Sequence, residues 1–207
     1  LGYRISSILT SVAGNSMLLL LVLTMVVSLI MGMGVPTTAA YLVLASLVAP
    51  TMIQLGIPPL AAHMFIFYFG CISSITPPVA LAAYAGAGLA GCDPNKTGYK
   101  AFRLAFCSFL MPYLFVYNPV LLMEGGVLDI LWSLVTALIG AYLLASGFEG
   151  FFFRWSLKWF ERPLMILGAV MLIVPGMVTD LVGIAIIVVE FVTEFMFKRS
   201  EKFVPVT

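Results

Sequence analysis

Gly32-Met33-Gly34-Val35-Pro36-Thr37-Thr38-Ala39-Ala40-Tyr41 decides the fold, because of where it falls in the chain. It interrupts an apolar stretch, Met17–Met31, that opens behind the turn and cap chemistry of Gly14-Asn15-Ser16. A helix needs about 20 apolar residues to cross about 30 Å of hydrocarbon. The 15 residues of Met17–Met31 rise only about 22 Å. The Gly/Pro cluster therefore stops the helix short, and a second apolar helix is expected from Thr37 to Gln54. Two half-depth arms, 17–31 and 37–54, with their tip at Gly32–Pro36, make a re-entrant hairpin.

Composition places this hairpin in a membrane. Of 207 residues, 62% are hydrophobic and 9% charged, with a mean hydropathy of +1.14. Soluble domains carry about 25% charged residues. A globule of this size could not cover its surface with so few, which excludes a soluble enzyme and a disordered chain. A net charge of +1 supplies no basic field for nucleic acid. From residue 5 to residue 92 there is no Asp, Glu, Lys or Arg. Cys71, Cys92 and Cys107 lack metal-ligand spacing and read as small packing residues. The chain starts at Leu1 without a leader pattern and is expected to be the C-terminal part of a longer protein.

A second break follows the first. After the turn at Gly56–Pro59, the segment 60–90 would be about 46 Å long as one helix, too long for a simple span. Ser74-Ile75-Thr76-Pro77-Pro78 breaks it and absorbs the excess. Both breaks put Pro, Thr and then Ala-Ala-Tyr after a helix stop, a weak local echo.

Downstream, a helix is expected over 97–122 with kinks at Pro112 and Pro119, and a span over 127–146. Phe151–Arg162 has interfacial-belt composition, with aromatics beside Arg154, Lys158 and Arg162. Residues 163–197 form either one kinked span or two half-helices around Pro175-Gly176, with Asp180 as an intramembrane acid or as a helix cap. Residues 1–13, with Arg4, Ser6, Ser7 and Ser11, read as an interfacial lead-in. Lys96, Lys100 and Arg103 put the 92–103 loop in the cytoplasm. The hairpin then opens outward, and Lys198, Arg199 and Lys202 favour re-entry of 163–197. The expected organisation is a transport region at 1–123 (hairpin 17–54, broken helix 60–91, following helix 97–122) and C-terminal transmembrane helices at 124–207, with an interfacial segment at 151–162. The fold class is an all-α integral membrane protein.

An unpaired peptide group in hydrocarbon costs several kcal/mol. Two breaks at membrane depth are therefore expected to line a polar cavity, the usual place for ion and substrate sites in secondary transporters. The available hydroxyls are Thr37, Thr38, Ser73, Ser74 and Thr76. Gly32 and Gly34 permit close backbone approach, and Pro36 and Pro77 free neighbouring carbonyls. The candidate ion- and substrate-binding residues are these nine. With no carboxylate here, a proton relay would have only His63; Na+ held by neutral oxygens around Gly32, Thr38, Ser74 and Thr76 fits better. His63 also reads as a packed or interhelical hydrogen-bonding residue. Asn15 is either a turn residue or close to the ion site. The spacings Gly86–Ala90 and Ala87–Gly91 suggest close helix packing.

Residues 32–41, Ala49-Pro50, Gly56-Ile57-Pro58-Pro59-Leu60-Ala61-Ala62-His63, Phe67-Tyr68-Phe69-Gly70 and Ile75-Thr76-Pro77-Pro78-Val79-Ala80 together resemble the large membrane subunit of TRAP transporters. The fused permeases of the TAXI branch are the nearest likeness. Asp93-Pro94, Thr97-Gly98, Ala101–Leu104 and Phe115–Pro119 continue it, so the resemblance covers about residues 1–123. It implies an elevator-type transporter of two inverted halves in the bacterial inner membrane. It also implies Na+ as coupling ion with no other cofactor, a small carboxylate substrate, a periplasmic substrate-binding protein as partner, and the remainder of the permease chain. The rival readings are a non-transporting scaffold or channel-like subunit, and an intramembrane hydrolase using Ser73 and His63. Those two residues lie about 15 Å apart on a continuous helix.

Overall fold

The structure is a computed structural model and describes residues 11–12, 14, 16–152, 155–174 and 176–197. The readings for residues 1–10, Asn15, Arg154, Pro175, Lys198, Arg199 and Lys202 fall outside the described residues. Apart from one minimal strand pair, the described chain is helical. It divides after Leu122 into two compact units.

In the first unit, α1 (Met17–Gly32) begins where Ser16 Oγ accepts the Leu19 N–H at 3.3 Å. It ends at the first break: Met33 turns extended, Gly34 takes φ +76°, and Pro36 precedes α2 (Thr37–Leu47). The arms α1 and α2 pack on each other next to this tip as a helical hairpin. The second arm is not one helix to Gln54, however. It breaks at Val48, and α3 covers Ala49–Gln54. The cause is Pro50, which has no N–H for the Ser46 carbonyl and whose ring crowds it.

The turn at Gly56, with φ +90°, leads into α4 (Pro59–Ile72). This helix is the centre of the unit and packs against α1, α2, α3 and the later helix α7. Its Phe65 and Phe69 are fully buried among Leu20, Leu21, Leu44, Met52 and Ile57. In a membrane such packing is held by dispersion contacts between closely fitted side chains and not by transfer from water. Helix α4 tightens into a 3₁₀ turn at Ser73–Ile75 and stops. Pro77 and Pro78 carry no N–H, so the carbonyls of Ser73 and Ser74 lose their i+4 partners; that of Ser73 instead accepts the Thr76 N–H at 3.2 Å. Helix α5 (Leu81–Ala90) then starts from Ala80 in the left-handed conformation, φ +38°. The break at 74–78 thus lies within the 60–90 segment.

The expected single helix over 97–122 is four pieces. Helix α6 (Pro94–Ala105) is capped by the Asp93 carboxylate, which accepts the Lys96 N–H at 3.0 Å. A 3₁₀ stretch at Phe106–Leu110 follows, then α7 (Met111–Tyr117), then a 3₁₀ turn at Pro119–Leu122. Pro112 does not kink a helix; it sits in the first turn of α7, where its missing N–H is harmless.

The second unit has three long helices. Helix α8 (Val127–Glu149) has 23 residues and is the one described helix long and apolar enough to cross a membrane by itself. In the aromatic-basic segment, Phe151–Phe152 (β1) pairs antiparallel with Trp155–Ser156 (β2). Helices α9 (Glu161–Ile173) and α10 (Met177–Phe197) form an antiparallel pair, since Gly168 faces Ile186 and Gly183 faces Leu172. The segment 163–197 is thus interrupted after Ile173, but its second piece, with 21 residues, is longer than a half-helix. Helix α9 packs equally closely on α8, where a Cβ on Gly140 would lie 3.0 Å from the Ala169 carbonyl and one on Gly147 would lie 3.2 Å from that of Arg162.

Of the two spacings read as close packing, Gly86–Ala90 is exposed, and of Ala87–Gly91 only Ala87 is buried. Gly86 and Gly88 face open space, and Ala83 and Ala87 form the buried stripe of α5.

Candidate functional site

The two breaks meet. A Cβ built on Gly32 would fall onto Ser73 Oγ, 2.9 Å from Ser73 Cβ and 3.3 Å from the Gly70 carbonyl. The C-terminal ends of α1 and α4 thus converge at the points where both helices stop, and only a glycine at 32 allows that approach.

Around the second break, each hydroxyl proton is already committed. Ser73 Oγ donates to the Gly70 carbonyl at 2.6 Å, Ser74 Oγ to Cys71 at 2.7 Å and Thr76 Oγ1 to Ile72 at 2.8 Å. A hydroxyl that donates its proton keeps its oxygen lone pairs. The three side chains therefore cap the carbonyls of the helix end and present oxygen acceptors, the donor set that suits a small hard cation. Ser73 and Thr76 are buried and Ser74 is half-buried.

The other candidates are placed differently. Gly34 and Pro36 lie exposed at the hairpin tip, and Thr37 and Thr38 are half-buried and exposed on the first turn of α2. Pro77 is half-buried beside Thr76. The contact that joins the breaks is made by Gly32 and Ser73, while Thr38 faces outward.

Sequence reading missed a second polar feature. Ser28 and Thr24 sit one and two turns below Gly32 on the same face of α1 and are fully buried. Neither hydroxyl oxygen has a hydrogen-bond partner, and Asn118 Oδ1 is likewise buried and unpaired. The stretch 17–31 is thus not purely apolar in effect. The signal was the spacing 24, 28, 32, a small-residue stripe at helical period.

His63 is tied to the hairpin. Its Nδ1 lies 3.0 Å from Tyr41 Oη, and Tyr41 also meets Phe67 edge-on at 5.7 Å between ring centroids. Ser73 and His63 each have another partner, so no nucleophile–base pair forms between them. In the second unit, Asp180 is buried one turn into α10 and accepts the Trp132 Nε1–H at 2.8 Å. It does not cap the helix, because its own N–H bonds to the Gly176 carbonyl.

An all-helical chain of this apolarity, with two helix stops packed against each other, has the build of an integral membrane transporter component. The family model of the tripartite ATP-independent periplasmic transporter, DctM component, matches residues 1–130, and the chain belongs to that family. This is the large membrane component of TRAP transporters, a permease and not an enzyme family. No curated protein and no solved structure matches the chain.

Proposed function

We propose that this chain forms part of a sodium-coupled permease that takes up small organic acids delivered by a periplasmic binding protein. On this reading α1 and α2 re-enter the membrane without crossing it, α4 and α5 form a discontinuous transmembrane helix, and the two move together as the mobile part of an elevator. Residues 124–207 add C-terminal transmembrane helices, and the whole is a multi-pass protein of the bacterial inner membrane.

The observation that supports this best is the contact of Gly32 with Ser73. It gathers helix-end carbonyls and hydroxyl oxygens in a chain with no acidic or basic side chain from residue 5 to residue 92. A neutral oxygen set binds Na+ without a carboxylate, with Ser73, Ser74 and Thr76 supplying hydroxyls and Gly32, Gly34, Pro36 and Pro77 leaving backbone carbonyls accessible. Thr37 and Thr38 open α2, whose N-terminal N–H groups favour an anion; a small carboxylate would be held there, with the bound cations offsetting its charge.

The test is uptake by the complete permease in proteoliposomes, supplied with its binding protein, with and without an inward Na+ gradient. Uptake that depends on Na+ supports the reading. Uptake that continues unchanged when Na+ is replaced by choline rejects it. A non-transporting scaffold would show no Na+-dependent substrate binding.

A further inference from the structure

Helix α6 is where charge first returns to the chain, and it carries that charge in one line. Lys96, Lys100 and Arg103 are all exposed, and at about 100° per residue they fall within an arc of roughly 60°. Tyr99, 68% exposed, and Leu104, 70% exposed, form the two shoulders of this ridge. Between residues 94 and 105 there is no Asp or Glu. The opposite face is fixed: Gly98 is buried, and a Cβ there would lie 2.9 Å from the Tyr84 ring and 3.6 Å from Ala80.

A ridge turned to bulk water has no use for Tyr and Leu shoulders, and one turned to hydrocarbon would not carry three cations. The pattern belongs to the boundary between them, where amphipathic aromatics and basic residues with long apolar stems are at home. The ridge rises about 10 Å from Lys96 to Arg103, and the headgroup layer of one leaflet is about 5–8 Å deep. Snorkelling of the lysine stems covers the difference. The Lys/Arg bias puts this ridge on the cytoplasmic side, the leaflet whose surface potential is negative.

We propose that the basic ridge of α6 docks on the headgroups of anionic phospholipids. The docked helix then steadies the second break, because Tyr84, clasped by Gly98, donates its Oη–H to the Pro78 carbonyl at 3.0 Å. The ridge does this whether or not the chain couples to Na+.

The full chain is placed in nanodiscs of phosphatidylcholine alone or with added phosphatidylglycerol, and amide exchange is followed over residues 94–105. Phosphatidylglycerol should slow exchange by about tenfold or more, the scale set by two basic contacts to a charged surface. Lys96→Gln/Lys100→Gln should lose that effect. Lys96→Arg/Lys100→Arg should keep it, as should Lys158→Gln in the second unit. Should the double Gln variant fail to fold, the wild type decides through salt: the protection must weaken as ionic strength rises. Equal protection in phosphatidylcholine alone overturns the proposal, as does protection that salt does not touch. Protection matched by inorganic phosphate or by succinate in phosphatidylcholine discs also overturns it, in favour of a soluble-anion site.

Discussion

Gly32 and Ser73 touch at the ends of two helices that both stop there, and no side chain larger than hydrogen fits at position 32. Gly32→Ala must push Ser73 off its bond to the Gly70 carbonyl or drive α1 from α4. Overpacking of this kind costs about 1–3 kcal/mol. A lowered thermal midpoint together with loss of uptake is expected, and Ser73→Gly in the same molecule, which relieves the clash but removes a hydroxyl of the proposed ion site, should recover part of the midpoint without restoring uptake. A Gly32→Ala variant as stable and active as the wild type would show that the ends of α1 and α4 do not meet.

Thr76→Ala removes a buried hydroxyl oxygen and leaves the Ile72 carbonyl without its donor. If that oxygen contacts the coupling ion, the Na+ concentration for half-maximal uptake rises severalfold. Thr76→Ser, which keeps the oxygen, should restore it. Unchanged Na+ dependence in Thr76→Ala would remove this side chain from the ion site.

Tyr41→Phe keeps the edge-on contact with Phe67 and deletes only the hydrogen bond to His63. The expected loss is about 0.5–1.5 kcal/mol, read as a change in thermal midpoint. If the imidazole serves to join α4 to the hairpin, His63→Gln should leave the pH profile of uptake unaltered. A lost or shifted pH dependence in His63→Gln would give His63 a transport role.

Ala80 is fully buried at φ +38°, a conformation that costs an L-residue roughly 1–2 kcal/mol. Ala80→Gly should therefore be neutral or stabilising despite the lost methyl group. Ala80→Val should be severely destabilising, since a β-branched side chain suits neither the backbone angle nor the close face of Gly98. Chemical or thermal denaturation of the two variants checks both signs.

Asp180→Asn keeps an oxygen for the Trp132 indole N–H, whereas Asp180→Leu takes away that donor's acceptor. The difference between the two variants should be about 1–3 kcal/mol. Trp132 emission should shift in Asp180→Leu and stay close to wild type in Asp180→Asn.

The sequence by itself determined class and punctuation. A run without charge from residue 5 to residue 92 cannot be solvated as a globule. Gly34, Pro36, Pro77 and Pro78 break helices for reasons local to the backbone: a positive φ or a missing N–H, each legible without a fold. Pro50 and its split of the second arm obey the same rule. An interruption between the last two helices stood among the alternatives, but that they lie side by side was decided by packing. Only the tertiary structure decided what meets what. Gly32 rests on Ser73, Tyr41 on His63, Trp132 on Asp180 and Gly98 on Tyr84, and none of these pairs is marked by a local pattern. The Gly86–Ala90 spacing misled for the same reason: small residues permit close approach, but which face is used depends on where the neighbouring helix lies. Thr24 and Ser28 looked like minor interruptions of an apolar helix. Packing against α4 makes them buried and unpaired, because a hydroxyl's partners are set by the surface it faces and not by its place in the chain.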